Sequence, residues 1–480
     1  MANELIINYR PYETRVALLE NGKLAELYIE RKNSIDILGN IYKGKVVRVL
    51  PGIQAAFVNI GLERTGFLCL QDLSEYEHNN GSLSIEDLLY EGQDIMVQVA
   101  KEPTKNKGAR LTTNISLPGR RLVLMPFSRH IGISRKIKDK NERERLKEII
   151  EEIRPKDMGI IIRTISKGAT KEKLKTEMEF LLKVWENIKT KAQRNSVPIL
   201  LYKELSITLK AVRDLFTMEV DRLIIDSFEE YTALMSFINS FAPGLRYSIE
   251  FYEESGSIFE HYGIESEILK TLQRRVWLKS GGYIVIEQTE ALTAIDVNTG
   301  SYVGENNPEE TVLKTNLEAV KEIAYQIRLR NIGGLIVIDF IDMNKKSNRD
   351  KVFNALKEAF NRDKAKTNIL YISSLGLVEM TRERTRSDLR GFLAETCPYC
   401  SGRGLVRSRQ SISYEIFREL ERKRNAIGND KIHVFVHPDV NLFIKEYEQN
   451  NIKYLENTLN RKIVFIPKND LHIEKYEIVS

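Results

Sequence analysis

The chain has 480 residues, of which 42% are hydrophobic and 29% charged, and its formal net charge is +6 at pH 7. This length predicts about three domains, and the mild positive charge favours a polyanionic partner only slightly. There is no signal-peptide pattern and no apolar run near the ~20 residues of a membrane span, and the three cysteines exclude a disulfide framework and favour a reducing cytoplasm.

The first 35 residues predict a β-meander of three strands. Asn21-Gly22, placed between two alternating runs, is a strong hairpin signal. Three strands without a helix do not form a core, so we expect them to complete a sheet supplied from later in the chain. The segment 208–272 alternates helices with apolar strands and is the candidate partner.

From about Ile37, short strands and glycine turns at regular spacing predict a small closed barrel of the OB type. Phe57 and Phe67 lie on consecutive strands, with lysines and arginines nearby. Aromatic side chains on a basic sheet face form a platform on which single-stranded bases stack. The alternative is that both phenylalanines belong to the barrel core. The polar segment 73–89 is predicted to be an inserted loop.

Residues 119–207 predict strands and two charged helices, at about 140–153 and 171–192. Arg163 and Thr164 stand where a buried strand ends. A guanidinium and a hydroxyl that emerge together can grip a terminal phosphate, although a structural salt bridge is the alternative for the arginine. Asp226 also ends an apolar strand, and we expect it to have a structural role such as capping the next helix.

Two later strands each end on a carboxylate, Asp296 in A-I-D-V-N-T-G and Asp339 in V-I-D-F-I-D-M. Between them, Asn307-Pro308 begins a helix that Gly333-Gly334 is expected to end. A second helix and the strand N-I-L-Y-I-S-S-L follow. In such α/β layers, sites lie beyond the carboxyl ends of the strands. Two carboxylates at that edge predict a site for a hard cation.

The motif C-P-Y-C-S-G-R-G places Cys397 and Cys400 at the spacing of half a tetrahedral zinc site. The chain has no second CxxC, so the simplest completion is a second copy of the chain and a metal-linked homodimer. A redox CxxC is the alternative, but redox motifs usually open a helix, whereas glycines follow here. The remaining residues predict a charged helix and a small α/β piece.

Taken in order, these motifs resemble the ribonuclease E/G family, with L-T-T-N-I-S-L-P-G-R-R-L-V-L-M-P and I-I-R-T in support, and the length is similar to that of its ribonuclease G members. The resemblance implies a Mg²⁺-dependent endoribonuclease, specific for single-stranded RNA and leaving 5′-phosphate ends. It further implies action in RNA processing, including rRNA maturation, and in mRNA decay, with stimulation by 5′-monophosphate ends. The alternatives are a non-catalytic OB-fold RNA-binding protein and a zinc-ribbon assembly factor.

The resemblance also implies roles for single residues. Asp296 and Asp339 would hold the magnesium, and Asn298 would orient the reacting group beside it. The barrel residues that match the family's RNA-holding residues are Phe57, Phe67 and Lys107. Cys397 and Cys400 match a zinc link shared between the subunits of a homodimer, or of a tetramer made from two such dimers.

A pocket for a 5′-monophosphate is implied in the same way. The matching residues are Gly119, Val123, Arg163, Thr164 and Lys366. Lys366 is a departure, because the family's enterobacterial members carry an arginine there. Lysine keeps the charge but loses the planar fork of donors, which puts the strength of 5′-end sensing in doubt.

The implied architecture is multidomain, with α/β and β parts. An RNase H-like domain is interrupted by the OB-fold barrel and a 5′-sensor domain. A DNase I-like α/β catalytic domain, a zinc-link and a small α/β C-terminal domain follow. The expected boundaries, in that order, are 1–35 with 208–272, 36–118, 119–207, 273–393, 394–408 and 409–480.

Overall fold

The computed structural model describes residues 2–31, 37–74, 83–103, 107–216, 220–241, 248–301, 308–361, 363–373, 376–384, 388–422 and 431–479. The chain divides into two compact units, Met1–Leu389 and Arg390–Ser480. In the described residues the larger unit holds four β-sheets and the smaller unit holds one. No helix in these ranges has both the length and the apolarity to cross a membrane.

The chain begins with the predicted meander. Its strands are β1 (Glu4–Arg10), β2 (Glu13–Glu20) and β3 (Lys23–Arg31). They pair antiparallel in sequence order. Asn21 and Gly22 have φ of 54° and 77°, the left-handed backbone that a tight two-residue hairpin turn requires. The hairpin prediction is therefore confirmed.

The second part is a closed barrel. Its elements are β4 (Ile41–Leu50), β5 (Ala55–Asn59), β6 (Gly66–Cys69), α1 (Ile85–Leu88), β7 (Asp94–Lys101) and β8 (Arg110–Thr112). The strand order β4-β5-β6-β8-β7 closes because β7 also pairs with β4, which confirms the predicted OB-like barrel. Of the predicted inserted loop, 75–82 lies outside the described residues, and its end forms α1 rather than loop.

The third part has a four-stranded sheet covered by two helices. Its elements are β9 (Leu117–Pro118), β10 (Leu122–Met125), β11 (Ile131–Ile133), α2 (Lys140–Ile153), β12 (Gly159–Ile162), α3 (Lys171–Arg194) and β13 (Ile199–Tyr202). The sheet order is β11-β12-β10-β9, and β13 instead joins the barrel through β4. Asp139 and Thr170 cap the two helices, so both begin where their sequences predict.

The chain then returns to the N-terminal sheet. The elements are α4 (Ile207–Asp214), β14 (Arg222–Ile225), α5 (Phe228–Phe241), β15 (Ile249–Phe251), α6 (Ile258–His261) and α7 (Ile264–Thr271). β14 pairs parallel with β1, giving the order β15-β14-β1-β2-β3. Asp226 is structural but is not a helix cap. It accepts hydrogen bonds from Tyr9 N (2.8 Å), Asn8 Nδ2 (2.7 Å) and Arg10 Nη1 (2.9 Å), and so ties β14 to β1.

The carboxylate strands lie in a six-stranded sheet. Its elements are β16 (Arg275–Trp277), β17 (Tyr283–Gln288), β18 (Leu292–Asn298), α8 (Pro308–Leu329), β19 (Gly334–Asp339), α9 (Lys346–Phe360), β20 (Thr367–Ile369) and β21 (Leu377–Arg382). The order is β16-β17-β18-β19-β21-β20, and only β18 and β19 are parallel. One face of the sheet packs on α8 and α9 in a continuous apolar core.

Two expectations for this sheet are corrected. Helix α8 ends at Leu329, before the glycine pair, because Asn331 takes the left-handed conformation (φ 52°) that terminates a helix. The strand expected from N-I-L-Y-I-S-S-L is only β20, at the sheet edge. The strand beside β19 is β21, whose alternate residues Val378, Met380 and Arg382 are buried. The predicted start at Asn307 lies outside the described residues.

The smaller unit is a separate α/β fold, preceded by the short helix α10 (Leu389–Leu393) at the division between the units. Its elements are α11 (Arg409–Arg422), β22 (Lys431–Val436), α12 (Pro438–Tyr447), α13 (Gln449–Leu459), β23 (Lys462–Pro467) and β24 (Tyr476–Val479). β22 lies centrally, parallel to β23 and antiparallel to β24. The three helices and the sheet share one apolar core.

A buried ion cluster joins the N-terminal sheet to α8. Glu26 on β3, with 7% of its side chain exposed, contacts Arg328 (2.7 Å) and Lys364 (3.3 Å) and accepts a hydrogen bond from Tyr28. Arg328 also pairs with Glu20. Burial by itself raises the pKa of Glu26, but the charges of Lys364 and Arg328 and the hydrogen bonds outweigh it and lower that pKa to about 2.

Replacing Glu26 by Gln should therefore destabilise the larger unit in a pH-dependent way. We expect a loss of about 3 kcal/mol at pH 7, as when one partner of a buried pair is removed. A lowered pKa stabilises the fold above the ordinary carboxyl pKa of 4.5, and this stability is lost as the pH falls towards 2.

The measurement is thermal unfolding from pH 7 to pH 3 for wild type and Glu26→Gln. The gap between their melting temperatures should shrink as the pH falls. Glu290→Gln, which changes an exposed carboxylate in the β17–β18 turn, is the matched control and should follow wild type. A gap that stays constant over this range would contradict the assignment.

Candidate active site

The ends of β18 and β19 bring three of the expected site residues together. Asp296 and Asp339 are direct partners in the parallel register. Asn298 Nδ2 donates a hydrogen bond to Asp296 Oδ2 (2.7 Å), which leaves the amide oxygen of Asn298 available to another group. Both aspartates are exposed, so the site is open to a large substrate.

Strand alternation explains why these carboxylates face solvent. Ile295, Val297, Ile336 and Ile338 point into the core beneath α8 and α9. Successive side chains on a strand point to opposite faces, so the aspartates must lie on the other face. The chain then turns sharply at Gly300 (φ +58°), where an added Cβ would lie 2.4 Å from the carbonyl oxygen of Gly281. A glycine is therefore required just after the A-I-D-V-N motif.

The electrostatics of the pair favour a cation. Partial burial and the negative charges of Asp296 and Asp342 raise the pKa of Asp339 above its usual range. Like charges at this spacing repel each other, and a bound cation relieves that repulsion. In the described ranges, no three His, Cys, Asp or Glu side chains converge as a metal cage. Mg²⁺ commonly binds one or two carboxylates and completes its coordination shell with water, so a pair of aspartates is compatible with this ion.

Asp342 is a neighbour that sequence reasoning did not single out. It follows β19 within V-I-D-F-I-D-M, and its charge contributes to the raised pKa of Asp339. Gly376 (φ +82°) faces it, and a Cβ there would lie 3.1 Å from Asp342 Oδ1. The sequence feature that could have identified Asp342 is its place as the second aspartate of V-I-D-F-I-D-M.

On the barrel, Phe57 and Phe67 are register partners on β5 and β6. Their ring centroids are 5.9 Å apart and the rings are tilted by 63°. The barrel core is built from their neighbours, including Val58 and Leu68, and does not contain the two rings. The alternative that both phenylalanines are core residues is therefore wrong, and a partly exposed aromatic pair is present instead.

Lys107 is exposed, and the residues that follow it lie beside the strand that carries Phe67. The next residue, Gly108, packs against the chain before β6, where an added Cβ would be 2.0 Å from the carbonyl oxygen of Thr65. Phe67 N donates a hydrogen bond to the carbonyl oxygen of Ala109 (2.8 Å). These contacts hold the backbone beside Lys107 against the strand that carries Phe67.

Four of the expected 5′-pocket residues also meet. Val123 on β10 pairs with Ile161 on β12, and Arg163 follows directly after β12. Arg163 Nη1 donates to the carbonyl oxygen of Gly119 (2.7 Å) and to Asp214 Oδ1 (2.6 Å). Arg163 therefore forms a structural salt bridge with Asp214, which was the alternative to phosphate binding for this residue.

The partner of Arg163 is an ionised carboxylate. Burial raises the pKa of Asp214, but hydrogen bonds and charge from Arg213 and Arg163 outweigh it and lower that pKa. Thr164 is exposed, and its hydroxyl lies 2.7 Å from that of Ser134. An exposed hydroxyl thus stands directly after the anchored guanidinium.

Lys366 lies elsewhere in the described structure. It is exposed, directly before β20, and its carbonyl oxygen accepts a hydrogen bond from Glu383 N (2.9 Å). Thr367 pairs with Arg382, which pairs with Gly334 at the start of β19. Lys366 is therefore near the opposite end of β19 from Asp339, and no described contact joins it to the other four residues.

Comparison with known proteins gives the family. The pattern of the Ribonuclease E/G family matches residues 116–385. Ribonuclease G of Escherichia coli (strain K12) is 42% identical over 471 residues, which are 96% of each chain. The chain belongs to the ribonuclease E/G family.

Other relatives agree with this membership. Ribonuclease G of Haemophilus influenzae is 41% identical over 487 residues, 100% of this chain and 99% of that protein. Ribonuclease E of Escherichia coli (strain K12) is 38% identical over all of this chain, which corresponds to 46% of that longer protein. The RNase E/G thioredoxin-like domain matches residues 396–480, in the smaller unit. The RNase H-like and DNase I-like domains and the expected boundaries stay predictions.

In the C-P-Y-C motif, backbone amides converge on the sulfur of Cys400. Gly404 N donates a hydrogen bond to Cys400 Sγ (3.4 Å). The hydrogen bond from Gly404 is the largest cause of the lowered pKa of Cys400; burial opposes it, and further hydrogen bonds from Gly402 and Cys397 add to the lowering. Gly402 and Gly404 have φ of 81° and 73°, which lets the backbone curl around the sulfur. Cys69, the third cysteine, belongs to the barrel strand β6.

Proposed function

We propose that the protein is a Mg²⁺-dependent endoribonuclease that cleaves single-stranded RNA and leaves 5′-phosphate ends. Its role is RNA processing, including rRNA maturation, and mRNA decay. The observation that carries the proposal is the pair Asp296 and Asp339, adjacent and exposed at the ends of β18 and β19 in a ribonuclease E/G family member. A purely RNA-binding barrel protein needs no such pair, so that alternative is not favoured.

The roles proposed for the three residues come from the family resemblance, and their geometry supports them. Asp296 and Asp339 would hold Mg²⁺, which when bound supplies Lewis acidity that activates water and offsets charge on the scissile phosphate. Asn298 fixes one oxygen of Asp296 through its amide N–H. Its own amide oxygen would then accept a hydrogen bond from the reacting group and so orient that group beside the carboxylates.

The barrel is the proposed clamp for the strand. Phe57 and Phe67 present ring edges and faces outside the core, and bases of any sequence stack on such rings. Lys107 adds a positive charge for the backbone. Arg110 contributes less to the backbone contact, because Asp72 already binds it in a two-point ion pair (2.8 and 3.1 Å).

Cleavage tests the metal site directly. With a short A/U-rich single-stranded RNA and Mg²⁺, we expect wild type to cut and EDTA to abolish cutting. Asp296→Asn and Asp339→Asn should each lower the rate on the order of 10³-fold, since each removes a charged ligand of the ion.

The control is Asp157→Asn, at a carboxylate that is 87% exposed and pairs only loosely with Arg129 (3.6 Å), and it should cut like wild type. Mg²⁺ should also raise the melting temperature of wild type but not of the two site variants. If either site variant cleaved RNA in a Mg²⁺-dependent way at the wild-type rate, the metal assignment would be refuted.

The 5′-end pocket is proposed around Arg163 and Thr164, with Gly119 and Val123 as backbone neighbours. Asp214 and the Gly119 carbonyl hold the guanidinium in a fixed orientation, and the exposed Thr164 hydroxyl stands next to it. A preoriented guanidinium and a hydroxyl donor suit a terminal phosphate. Lys366 would enter this pocket only from a second chain or after a rearrangement.

Rates on two RNAs that differ only at the 5′ end test this pocket. Wild type should cut the 5′-monophosphate RNA faster than the 5′-hydroxyl RNA. Thr164→Val and Arg163→Ala should bring the ratio of the two rates close to one without slowing the 5′-hydroxyl reaction. Arg129→Ala, at an exposed arginine, should keep the wild-type ratio. Equal rates in wild type would refute sensing while leaving the catalytic proposal intact.

Zinc is the proposed link between two chains, with Cys397 and Cys400 of each chain as its four thiolate ligands. The lowered pKa of Cys400 supports this, because the thiolate is the form that binds metal. Cys397→Ser should reduce bound zinc and shift the chain to monomer in light scattering, whereas Cys69→Ser should remain dimeric. A zinc-free dimer of wild type would refute the link.

A further inference from the structure

An exposed aromatic cluster lies on the same sheet as the proposed catalytic carboxylates. Trp277 on β16 and Tyr283 on β17 are register partners, and their ring centroids are 5.3 Å apart at 66°. The Arg275 guanidinium lies 4.4 Å from the centroid of the Tyr283 ring and 5.7 Å from that of Trp277. Arg275, Trp277 and Tyr283 are called the aromatic cluster below.

The cluster is unusual because its largest ring is uncovered. Trp277 has 61% of its surface exposed, whereas the chain's other tryptophan, Trp185, is 3% exposed in a core. Large aromatic side chains are usually well buried, and an exposed one beside an arginine is typical of binding surfaces. The cation over the two rings keeps them in place without covering their outer faces.

The register places the cluster on the same face as Asp296 and Asp339. Val276 and Ile284 point to the core side, so Arg275, Trp277 and Tyr283 point to the open side. Tyr283 pairs directly with Asn298, while Val285 lies between Arg275 and Asp296. Two strand spacings separate β16 from β18, a distance on the order of 10 Å. A short stretch of single strand crosses that distance.

We infer that the aromatic cluster is a base-stacking site for the RNA nucleotides next to the scissile phosphate. The inference rests on the proposed ribonuclease function and adds a second stacking site to that of the barrel. A strand whose phosphate reaches Asp296 and Asp339 must lay adjacent nucleotides over this open face. Because the two rings are inclined at 66°, a base stacks on the exposed Trp277 ring and its edge contacts Tyr283, while Arg275 offsets the charge of its phosphate.

RNA is favoured over a second copy of the chain as the occupant. The cluster is continuous with the proposed catalytic residues through direct strand pairing. Its one cation complements a phosphate backbone. Strand β16 is only three residues long, which gives another chain little edge to pair with.

Binding tests the inference separately from cleavage. In an Asp339→Asn background, a short single-stranded RNA with a 5′-monophosphate is titrated into protein with and without Trp277→Phe. The difference in emission between the two proteins reports on Trp277, and RNA should change it because stacking alters the indole surroundings. If saturating RNA left the emission of Trp277 unchanged, the inference would be overturned, whether or not wild type cleaves RNA.

Kinetics in the otherwise wild-type protein give the second measurement. Trp277→Ala should raise KM on the order of tenfold with little change in kcat, and Trp277→Phe should recover most of the loss, because a phenyl ring still stacks. Tyr12→Ala, which removes an aromatic ring 71% exposed in the β1–β2 turn, should leave KM unchanged.

A substrate series locates the stacked base. An abasic nucleotide next to the cleavage site should raise KM for wild type but add little to the KM of Trp277→Ala, since the contact is already absent. If the abasic nucleotide and Trp277→Ala each raised KM by the same factor in combination as alone, stacking at that nucleotide would be contradicted. A change in the elution volume of Trp277→Ala, with KM unaltered, would mean that the face joins two copies of the chain and would overturn the proposal.

Discussion

The site depends on the pairing of two parallel strands that each bury isoleucine and valine on one face and expose an aspartate on the other. The apolar side of β18 and β19 is fixed by α8 and α9, so the register of the two strands cannot slip by one residue without burying a carboxylate. Core packing thereby forces Asp296 and Asp339 into adjacent places despite their mutual repulsion. Packing of the core stabilises this arrangement, whose electrostatic repulsion a bound cation would relieve.

The same alternation sets the binding surfaces. On the barrel, Val58 and Leu68 fill the interior, and Phe57 and Phe67 must then face outwards. On the six-stranded sheet that carries Asp296 and Asp339, Val276 and Ile284 are packed, and Trp277 and Tyr283 must face the open side. Both aromatic pairs are thus consequences of period-two patterning with a packed neighbour. An endoribonuclease needs such surfaces because a flexible single strand must lose conformational freedom before its phosphate can react.

Local patterns predicted the elements well and the non-local pairings less well. The Asn21-Gly22 hairpin, the closed barrel and the adjacent strand-end aspartates followed from turn chemistry and alternation. β21 was missed because six residues with alternate burial between loops carry a weak signal, and its place beside β19 is a long-range choice. Asp214 as the partner of Arg163 depends on a contact between distant segments that one sequence does not show. The cluster around Trp277 is local, but the exposure of its largest ring could not be read from the sequence.

The proposed 5′ pocket is an example of how contacts from distant segments change the interpretation of a sequence motif. The backbone amides of Arg121 and Leu122, which stand next to Gly119, already donate to the buried carboxylate of Glu177 (2.6 and 3.1 Å). Asp214 likewise engages one guanidinium nitrogen of Arg163. A phosphate in the proposed pocket would therefore have to bind through the remaining donors of Arg163 and through Thr164. Two internal carboxylates fix the orientation of these groups, so a phosphate would meet an ordered guanidinium, while their negative charge would limit how tightly it is held.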